Sequence, residues 1–285
     1  MKINTILRVF LLISLFSCTG GTASQEQEEV ITITTKFGDM VAILYDKAPN
    51  HKKNFLAIAQ AGKYDSTFFH KIIQEYTIQG GDTGRTLLQD SPGEISAEIV
   101  PDLFHQKGAI SAARYPDAMN PNRLSHSSQF FITQGSVYTP ESLQYLENLE
   151  NAKILNDPLY TILSTKRYPE LNARMDSLKK HFTPEEVSQK MVSFRKDLFK
   201  ILGPLKEVKY TEAQKKYYTT KGGRPDLDGK HTVFGQIISG LSLIDSISKV
   251  ELDRFGIPVE TVYMKVSVEM MSKAEVEEKY GYEYE

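Results

Sequence analysis

Four short blocks decide how this sequence folds, and they occur in the order Phe69-His70-Lys71-Ile72-Ile73, Gln79-Gly80-Gly81-Asp82, Ser128-Gln129-Phe130-Phe131-Ile132 and Leu227-Asp228-Gly229-Lys230-His231-Thr232-Val233-Phe234-Gly235. The first, third and fourth blocks carry short runs of β-branched and aromatic residues, which predict strands. The second block, with its paired glycines, predicts a turn. The blocks therefore indicate a protein built from short strands.

The sequence around these blocks extends the same pattern. Val30 to Thr35 and Met40 to Tyr45 predict two strands that are joined as a hairpin by the Gly-Asp turn between them. Lys52 to Ala61 has apolar residues at helical spacing and is followed by Gly62, a helix-terminating residue. Leu241 to Ser248 predicts a second short helix, and Val262 to Glu269 a last strand. Many short strands with two helices are typical of a β-barrel or a β-sandwich.

Taken together, the four blocks resemble the cyclophilin family of peptidyl-prolyl isomerases. The resemblance covers Val30 to Thr133 and Asp226 to Glu269, about half of the chain. It implies a mainly β fold, an eight-stranded antiparallel barrel capped by two helices. It also implies cis–trans isomerisation of X-Pro bonds, a reaction that needs no metal or cofactor. Proline-containing peptides and unfolded proteins are the substrates that such a fold implies.

The resemblance assigns candidate site residues position by position. The positions that match the family's catalytic residues are Lys71, Gln79, Phe131 and His231. The positions that match its substrate-binding residues are Tyr76, Thr77, Ala113, Arg114, Gln129 and Leu227.

The resemblance also implies a role for each of these side chains. Phe131 is expected to form the floor of a proline pocket, Leu227 its wall and His231 its edge. Gln79 is expected to hydrogen-bond the substrate backbone near the prolyl carbonyl. The backbone at Arg114 is expected to pair with the substrate. Ala113 and Gln129 are expected to line the peptide groove, and Tyr76 and Thr77 stand where the family has phenylalanine and methionine.

Two positions depart from the family pattern. Lys71 stands where the family has its catalytic arginine. Because a lysine ammonium lacks the planar fork of donors of an arginine, we expect reduced activity. Asp226 stands where many eukaryotic members have a tryptophan that helps bind cyclosporin. We therefore expect weak inhibition by that drug.

The middle of the chain has a different character. In the family only a few residues join the third block to the fourth, whereas here residues 136–224 lie between two barrel segments, 30–135 and 225–271. This stretch, called the insert below, is rich in Leu, Lys, Glu and Tyr. It contains helix-start signals at Thr139-Pro140-Glu141, at Pro169 and at Thr183-Pro184-Glu185-Glu186, and a stop at Gly203-Pro204. Three or four helices are predicted, and residues 272–285 are predicted to be a charged tail.

The first 29 residues indicate export. Residues 1–18 combine Lys2 and Arg8 with an apolar run that is too short to span a bilayer, as in a signal peptide. Leu15-Phe16-Ser17-Cys18 resembles a bacterial lipobox, which implies cleavage and lipidation at Cys18. Residues 19–29 are polar and are predicted to be a solvated tether. The predicted location is the bacterial cell envelope, where a lipid would anchor the protein to a membrane. Of the envelope membranes, the outer membrane is the preferred prediction.

Composition excludes several other classes. The formal net charge of the 285 residues is −2, which gives no electrostatic case for nucleic acid. The single cysteine cannot form an internal disulfide, and none of the six histidines stands at metal-ligand spacing.

The sequence leaves two other functions open. The barrel could be a catalytically weak module that binds proline peptides, with the insert as a partner surface in a chaperone or assembly role; Lys71 favours this view. Alternatively, the insert could be a separate partner-binding domain carried by the barrel. Its amphipathic helices must bury one face, on each other or on the barrel, and the sequence does not decide between these.

Overall fold

The computed structural model describes residues 26–83, 94–164, 169–183, 186 and 207–284. Its strands are β1 (Gln27–Thr35), β2 (Gly38–Leu44), β3 (Lys71–Ile73), β4 (Thr77–Gly80), β5 (Ala109–Ala112), β6 (Phe130–Thr133), β7 (Val233–Ser239) and β8 (Lys265–Ser272). Its α-helices are α1 (Pro49–Gln60), α2 (Pro140–Ser164), α3 (Pro169–His181), α4 (Glu212–Thr220), α5 (Leu241–Ser248) and α6 (Lys273–Tyr280). A 3₁₀ turn spans Pro225–Leu227.

All eight strands belong to one antiparallel sheet in the order β3-β4-β6-β5-β7-β2-β1-β8. The predicted eight-stranded antiparallel fold is confirmed. The ladder is not closed, because β3 and β8 form its two ends; next to them an isolated bridge links Phe68 to Tyr263. The predicted turn at Gln79-Gly80-Gly81-Asp82 is wrong at its first two residues, which end strand β4.

The main core lies between the curved sheet and two helices. Phe55 and Ala59 of α1 and Ile244 and Ile247 of α5 pack against the inward side chains of the strands. Both helices were expected from their apolar spacing. The predicted hairpin is also present, with Thr35 opposite Gly38 in the β1–β2 register.

Both ends of the described chain are more ordered than the sequence predicted. Strand β1 begins at Gln27, so the last three residues of the predicted tether lie in the sheet. Glu28 is buried there because its carboxylate pairs with the Lys52 ammonium, 3.2 Å away. The tether prediction is therefore wrong for residues 27–29.

The predicted charged tail is likewise wrong for the part that is described. Ser272 ends β8 and caps α6 through a capping box with Glu275. Val276 of this helix is fully buried against Val30 and Val41 on the outer face of the sheet. Tyrosines 280, 282 and 284 pack against the same cluster.

The insert leaves and re-enters the barrel at one point. Ser136 and Gly223 exchange backbone hydrogen bonds in both directions, at 3.2 and 3.0 Å. Gly135 lies so close to this crossing that a Cβ atom there would be 2.3 Å from the carbonyl oxygen of Gly223. The backbone of Gly135 also has a φ of +63°, which favours glycine. The two ends of the insert are thus held together as a narrow neck.

The described part of the insert is helical, as predicted, with α2, α3 and α4. The capping box expected between Thr183 and Glu186 is formed, since the Thr183 N–H donates to the Glu186 carboxylate at 2.9 Å and the Glu186 N–H to the Thr183 hydroxyl at 3.4 Å. The predicted stop at Gly203-Pro204 lies outside the described residues, as do the signal peptide and Cys18. Across the described ranges, no helix has the length and apolar character needed to cross a bilayer.

Candidate active site

One open pocket collects nine of the ten candidate residues. It has a volume of about 360 Å³ and lies on the face of the sheet away from the main core. Its lining contains Lys71, Tyr76, Thr77, Gln79, Ala113, Arg114, Phe131, Leu227 and His231. Residues from all four sequence blocks or their flanks, as far apart in the chain as Lys71 and His231, therefore meet in one place.

Strand register explains why three of these side chains are neighbours. Lys71 of β3 is the cross-strand partner of Gln79 of β4, and Gln79 is the partner of Phe131 of β6. Partners in an antiparallel ladder project from the same face, with adjacent strands about 4.8 Å apart. The ammonium, the amide and the aromatic ring therefore form a row across the end of the sheet.

An apolar cluster forms the floor and the wall of the pocket. Phe131 is only 4% exposed and packs with Ala113 and Leu227, with Tyr76 against their edge. Because side chains alternate along a strand, Phe130 points into the main core while Phe131 points into the pocket. Phe131 and Leu227 therefore pack side by side in the pocket lining.

Two histidines flank the Phe131 ring. The imidazole of His231 meets it edge-on, with ring centroids 5.2 Å apart, and that of His105 stacks against it at 5.9 Å and 13°. Burial, with the nearby His105 ring adding to it, lowers the pKa of His231 to about 4. His231 is therefore neutral at neutral pH, and its Nδ1 lies 3.2 Å from the carbonyl oxygen of Ala112, to which it can donate.

A chain of amides holds the polar rim of the pocket. The side-chain nitrogen of Gln79 donates to the Gln129 side-chain oxygen at 3.0 Å. The Gln129 nitrogen in turn donates to the carboxylate of Asp82 at 3.0 Å. Gln129 is the one candidate outside the pocket lining, and its contact is with Gln79. It orients the glutamine that faces the pocket.

Lys71 and Arg114 carry the positive charges of the pocket. The Lys71 side chain is exposed and has no ion pair within the described ranges. The Arg114 guanidinium is tied down, since Nε donates to the Lys230 carbonyl at 2.6 Å and NH1 pairs with Asp117 at 2.6 Å. Lys71 is therefore the cation that can turn towards a bound ligand.

Three residues around the pocket, His105, Arg224 and Asp228, were not predicted from the sequence. Asp228 accepts hydrogen bonds from the backbone N–H of His105 at 2.8 Å and pairs with its Nδ1 at 3.0 Å. The Arg224 guanidinium lies 4.2 Å from the centre of the Tyr76 ring, and its Nε donates to Asp226 at 2.9 Å. Asp228 stands next to Leu227 in the fourth block, but no local sequence pattern indicates that it contacts His105 or that Arg224 lies over Tyr76.

The fold and the pocket define a small-ligand site of the cyclophilin kind. The family model described as cyclophilin type peptidyl-prolyl cis-trans isomerase/CLD matches residues 30–153 and 174–269, well over half of the chain. The chain belongs to the cyclophilin-type peptidyl-prolyl cis-trans isomerase family.

Two relatives of the chain are named as isomerases of this kind, and one solved structure is similar. A protein of Staphylococcus haemolyticus assigned as a peptidyl-prolyl cis-trans isomerase is 26% identical over 85% of this chain and 91% of its own length. A protein of Streptococcus pyogenes assigned as a bifunctional phosphatase/peptidyl-prolyl cis-trans isomerase is 29% identical over 82% of this chain. The match covers 37% of the length of that relative. A solved cyclophilin-type isomerase of Cryptosporidium parvum superposes with a TM-score of 0.48 at 19% identity, over 86% of this chain and 98% of that one.

Proposed function

We propose that this protein isomerises X-Pro bonds in unfolded, exported polypeptides, working from a lipid anchor at the bacterial cell envelope. The observation that carries the proposal is the row of Lys71, Gln79 and Phe131 along an open pocket of about 360 Å³ with an apolar floor and wall. Such a pocket fits a proline ring, and the polar groups stand at its rim.

The chemistry asked of the site is modest. Rotation about an X-Pro bond is opposed by amide resonance, with a barrier of about 18–20 kcal/mol. In the twisted state the prolyl nitrogen is no longer conjugated with the carbonyl group, so its lone pair is localised on the nitrogen. A site that holds the ring and donates to that nitrogen favours the twisted amide over both planar forms, and no covalent step is needed.

Each side chain has one task in this scheme. Phe131, Leu227 and the neutral His231 hold the ring. Gln79, oriented by Gln129, donates to the substrate backbone. Lys71 donates to the prolyl nitrogen as the amide twists.

The backbone of Arg114 fits the predicted pairing with substrate. In the part of the chain that the structure describes, neither its N–H nor its carbonyl takes part in a hydrogen bond. Both groups of the neighbouring Ala113 are used, by Gln129 and His126 at 3.0 and 2.7 Å. An extended peptide could therefore pair at Arg114 while its proline enters the pocket.

The isomerase reading is tested by NMR exchange spectroscopy on a proline peptide with the purified protein. We expect faster exchange, and a loss of about threefold to tenfold in kcat/KM for Gln79→Ala, because one neutral hydrogen bond is removed. Gln60→Ala, at the exposed end of α1, is the matched control. Equal rates in Gln79→Ala and the control would contradict the assigned role.

A second candidate function rests on Lys71. A single exposed ammonium gives less oriented stabilisation than a guanidinium, which suits a module that binds proline peptides without turning them over. Peptide binding detected by chemical-shift titration, with no acceleration of exchange, would select this function over catalysis.

The envelope location rests on Cys18, the sole cysteine, placed directly after the apolar run. Since β1 begins at Gln27, residues 19–26 are the whole link between the anchor and the sheet. Fully extended, such a link reaches no more than about 30 Å. We expect wild-type protein in the membrane fraction and Cys18→Ser protein outside it; equal partition would contradict the anchor.

A further inference from the structure

The insert contacts the barrel at a segment that carries two residues of the pocket lining. Residues 224–231 include the pocket residues Leu227 and His231 and connect the neck to β7. Side chains from both the first and the last described helix of the insert reach this segment.

The last helix reaches it through Asp228. Oδ2 of this carboxylate accepts from the Tyr218 hydroxyl at 2.7 Å and from the Gln214 side chain at 3.3 Å, both on α4. Oδ1 accepts from the backbone N–H of His105 and pairs with its Nδ1. Tyr218 and His105 are both fully buried. One carboxylate therefore joins the insert to the ring that stacks on the pocket floor.

The first helix reaches the same segment through Lys230. Its ammonium donates to Glu150 of α2 at 2.8 Å and to the carbonyl of Asp226 at 2.8 Å. Its own carbonyl accepts from the Arg114 guanidinium. Lys230 thus lies between the insert and another pocket residue.

The apolar contacts agree with these polar ones. Tyr218 packs with Leu143 of α2 and Tyr210, and Phe104 next to His105 closes the cluster. The Tyr218 and Phe104 rings meet edge-on at 5.5 Å. The insert therefore shares a small core with the barrel directly behind the pocket floor.

We propose that Tyr218 is a positioning residue for the proline pocket, and that the insert is a built-in support of the active site. Through Asp228 it sets Leu227 and His231 against Phe131, and so fixes the fit of a proline ring. This inference rests on the proposed function for its substrate, but its geometric part stands on the contacts alone.

The test compares Tyr218→Phe with Tyr217→Phe. Both variants remove one hydroxyl from α4, and the Tyr217 ring touches Phe104 whereas its hydroxyl makes no hydrogen bond within the described residues. Two readouts are taken: the NMR shifts of Leu227 and the His231 ring in the free protein, and KM and kcat for a proline peptide. We expect Tyr218→Phe alone to move those resonances and to raise KM about threefold to tenfold, with kcat little changed.

The outcomes separate the inference from the function. Shifts confined to α4 and Asp228, with KM unchanged, would overturn the inference while wild-type turnover upheld the isomerase. No wild-type turnover together with moved pocket resonances would overturn the function and keep the inference. A loss of folding stability without either change would show that Tyr218 acts only within the insert, and would also overturn the inference.

Discussion

Replacing Lys71 by alanine should slow the isomerase without unfolding it. The donor that this change removes is charged, and a hydrogen bond to a charged group contributes about 1.5–3 kcal/mol. At about 1.36 kcal/mol for each factor of ten, that is roughly 10-fold to 150-fold in kcat/KM. Because the Lys71 side chain is exposed and must be ordered to donate, we expect the lower end, about 10-fold to 30-fold.

Lys71→Arg should act in the opposite direction. A guanidinium offers a planar set of donors and is less strongly hydrated than an ammonium, so we expect kcat/KM to rise by about tenfold. Both variants should keep the free energy of unfolding within about 0.5 kcal/mol of wild type, since the position is on the surface.

The assay is NMR exchange or protease-coupled isomerisation of a proline peptide, with urea unfolding measured beside it. Lys63→Ala is the matched control, an exposed lysine in the turn after α1 and away from the pocket. The reasoning is refuted if Lys71→Ala retains full activity, or if Lys63→Ala loses as much. Turnover in the arginine variant alone would mean that the pocket is intact and that wild type works as a binding module.

Three further predictions concern stability. Burial lowers the pKa of His231 to about 4 in the folded protein, against about 6.5 when unfolded, so its contribution to the free energy of unfolding is fully present above pH 6.5 and is lost as the pH falls towards 4. Urea midpoints measured from pH 7 to 4 should therefore fall less in His231→Gln than in wild type. Parallel curves for the two proteins would contradict this. Gly135→Ala should cost about 2–4 kcal/mol in urea unfolding because its Cβ overlaps Gly223, whereas Gly281→Ala, with the same sign of φ but open space, should cost about 1–2 kcal/mol. Val276→Ala should cost about 2 kcal/mol, and a cost near zero would show that α6 does not support the sheet.

The residues of the site that could be predicted are those that lie within or next to the four short sequence blocks. Lys71 and Phe131 lie on short strands whose patterns are visible locally, whereas Gln79 ends a strand where the sequence predicted a turn. The register of β3, β4 and β6 then brings the three side chains together. Alternation along β6 also explains why two adjacent phenylalanines have different roles.

The parts that could not be predicted depend on long-range contacts. Tyr218 and Asp228 meet only because the insert folds back on the neck, and the amphipathic pattern of α4 does not say which surface it covers. Arg224 over Tyr76 is a contact of the same kind. Neither pair has a local sequence signal.

The ends of the fold show a different limit. The first residues of β1 are polar, and Glu28 enters the sheet because Lys52 compensates its charge. At the other end, Ser272 and Glu275 have the spacing of a capping box and form one, although the segment is highly charged and was predicted to be a tail.

The neck at Ser136 and Gly223 has a consequence for how the chain acquires its structure. Strands β1 and β2 pair with β8 and β7, which follow the insert, so a chain synthesised from its N-terminus cannot complete the sheet until the insert has been made. Such non-local pairing slows folding. Lengthening this connection tenfold adds only about 2 kcal/mol of closure entropy, and an insert that collapses on its own brings β6 and β7 within reach of each other. Helices that form early in the insert therefore shorten the gap that β7 and β8 must cross to pair with β2 and β1.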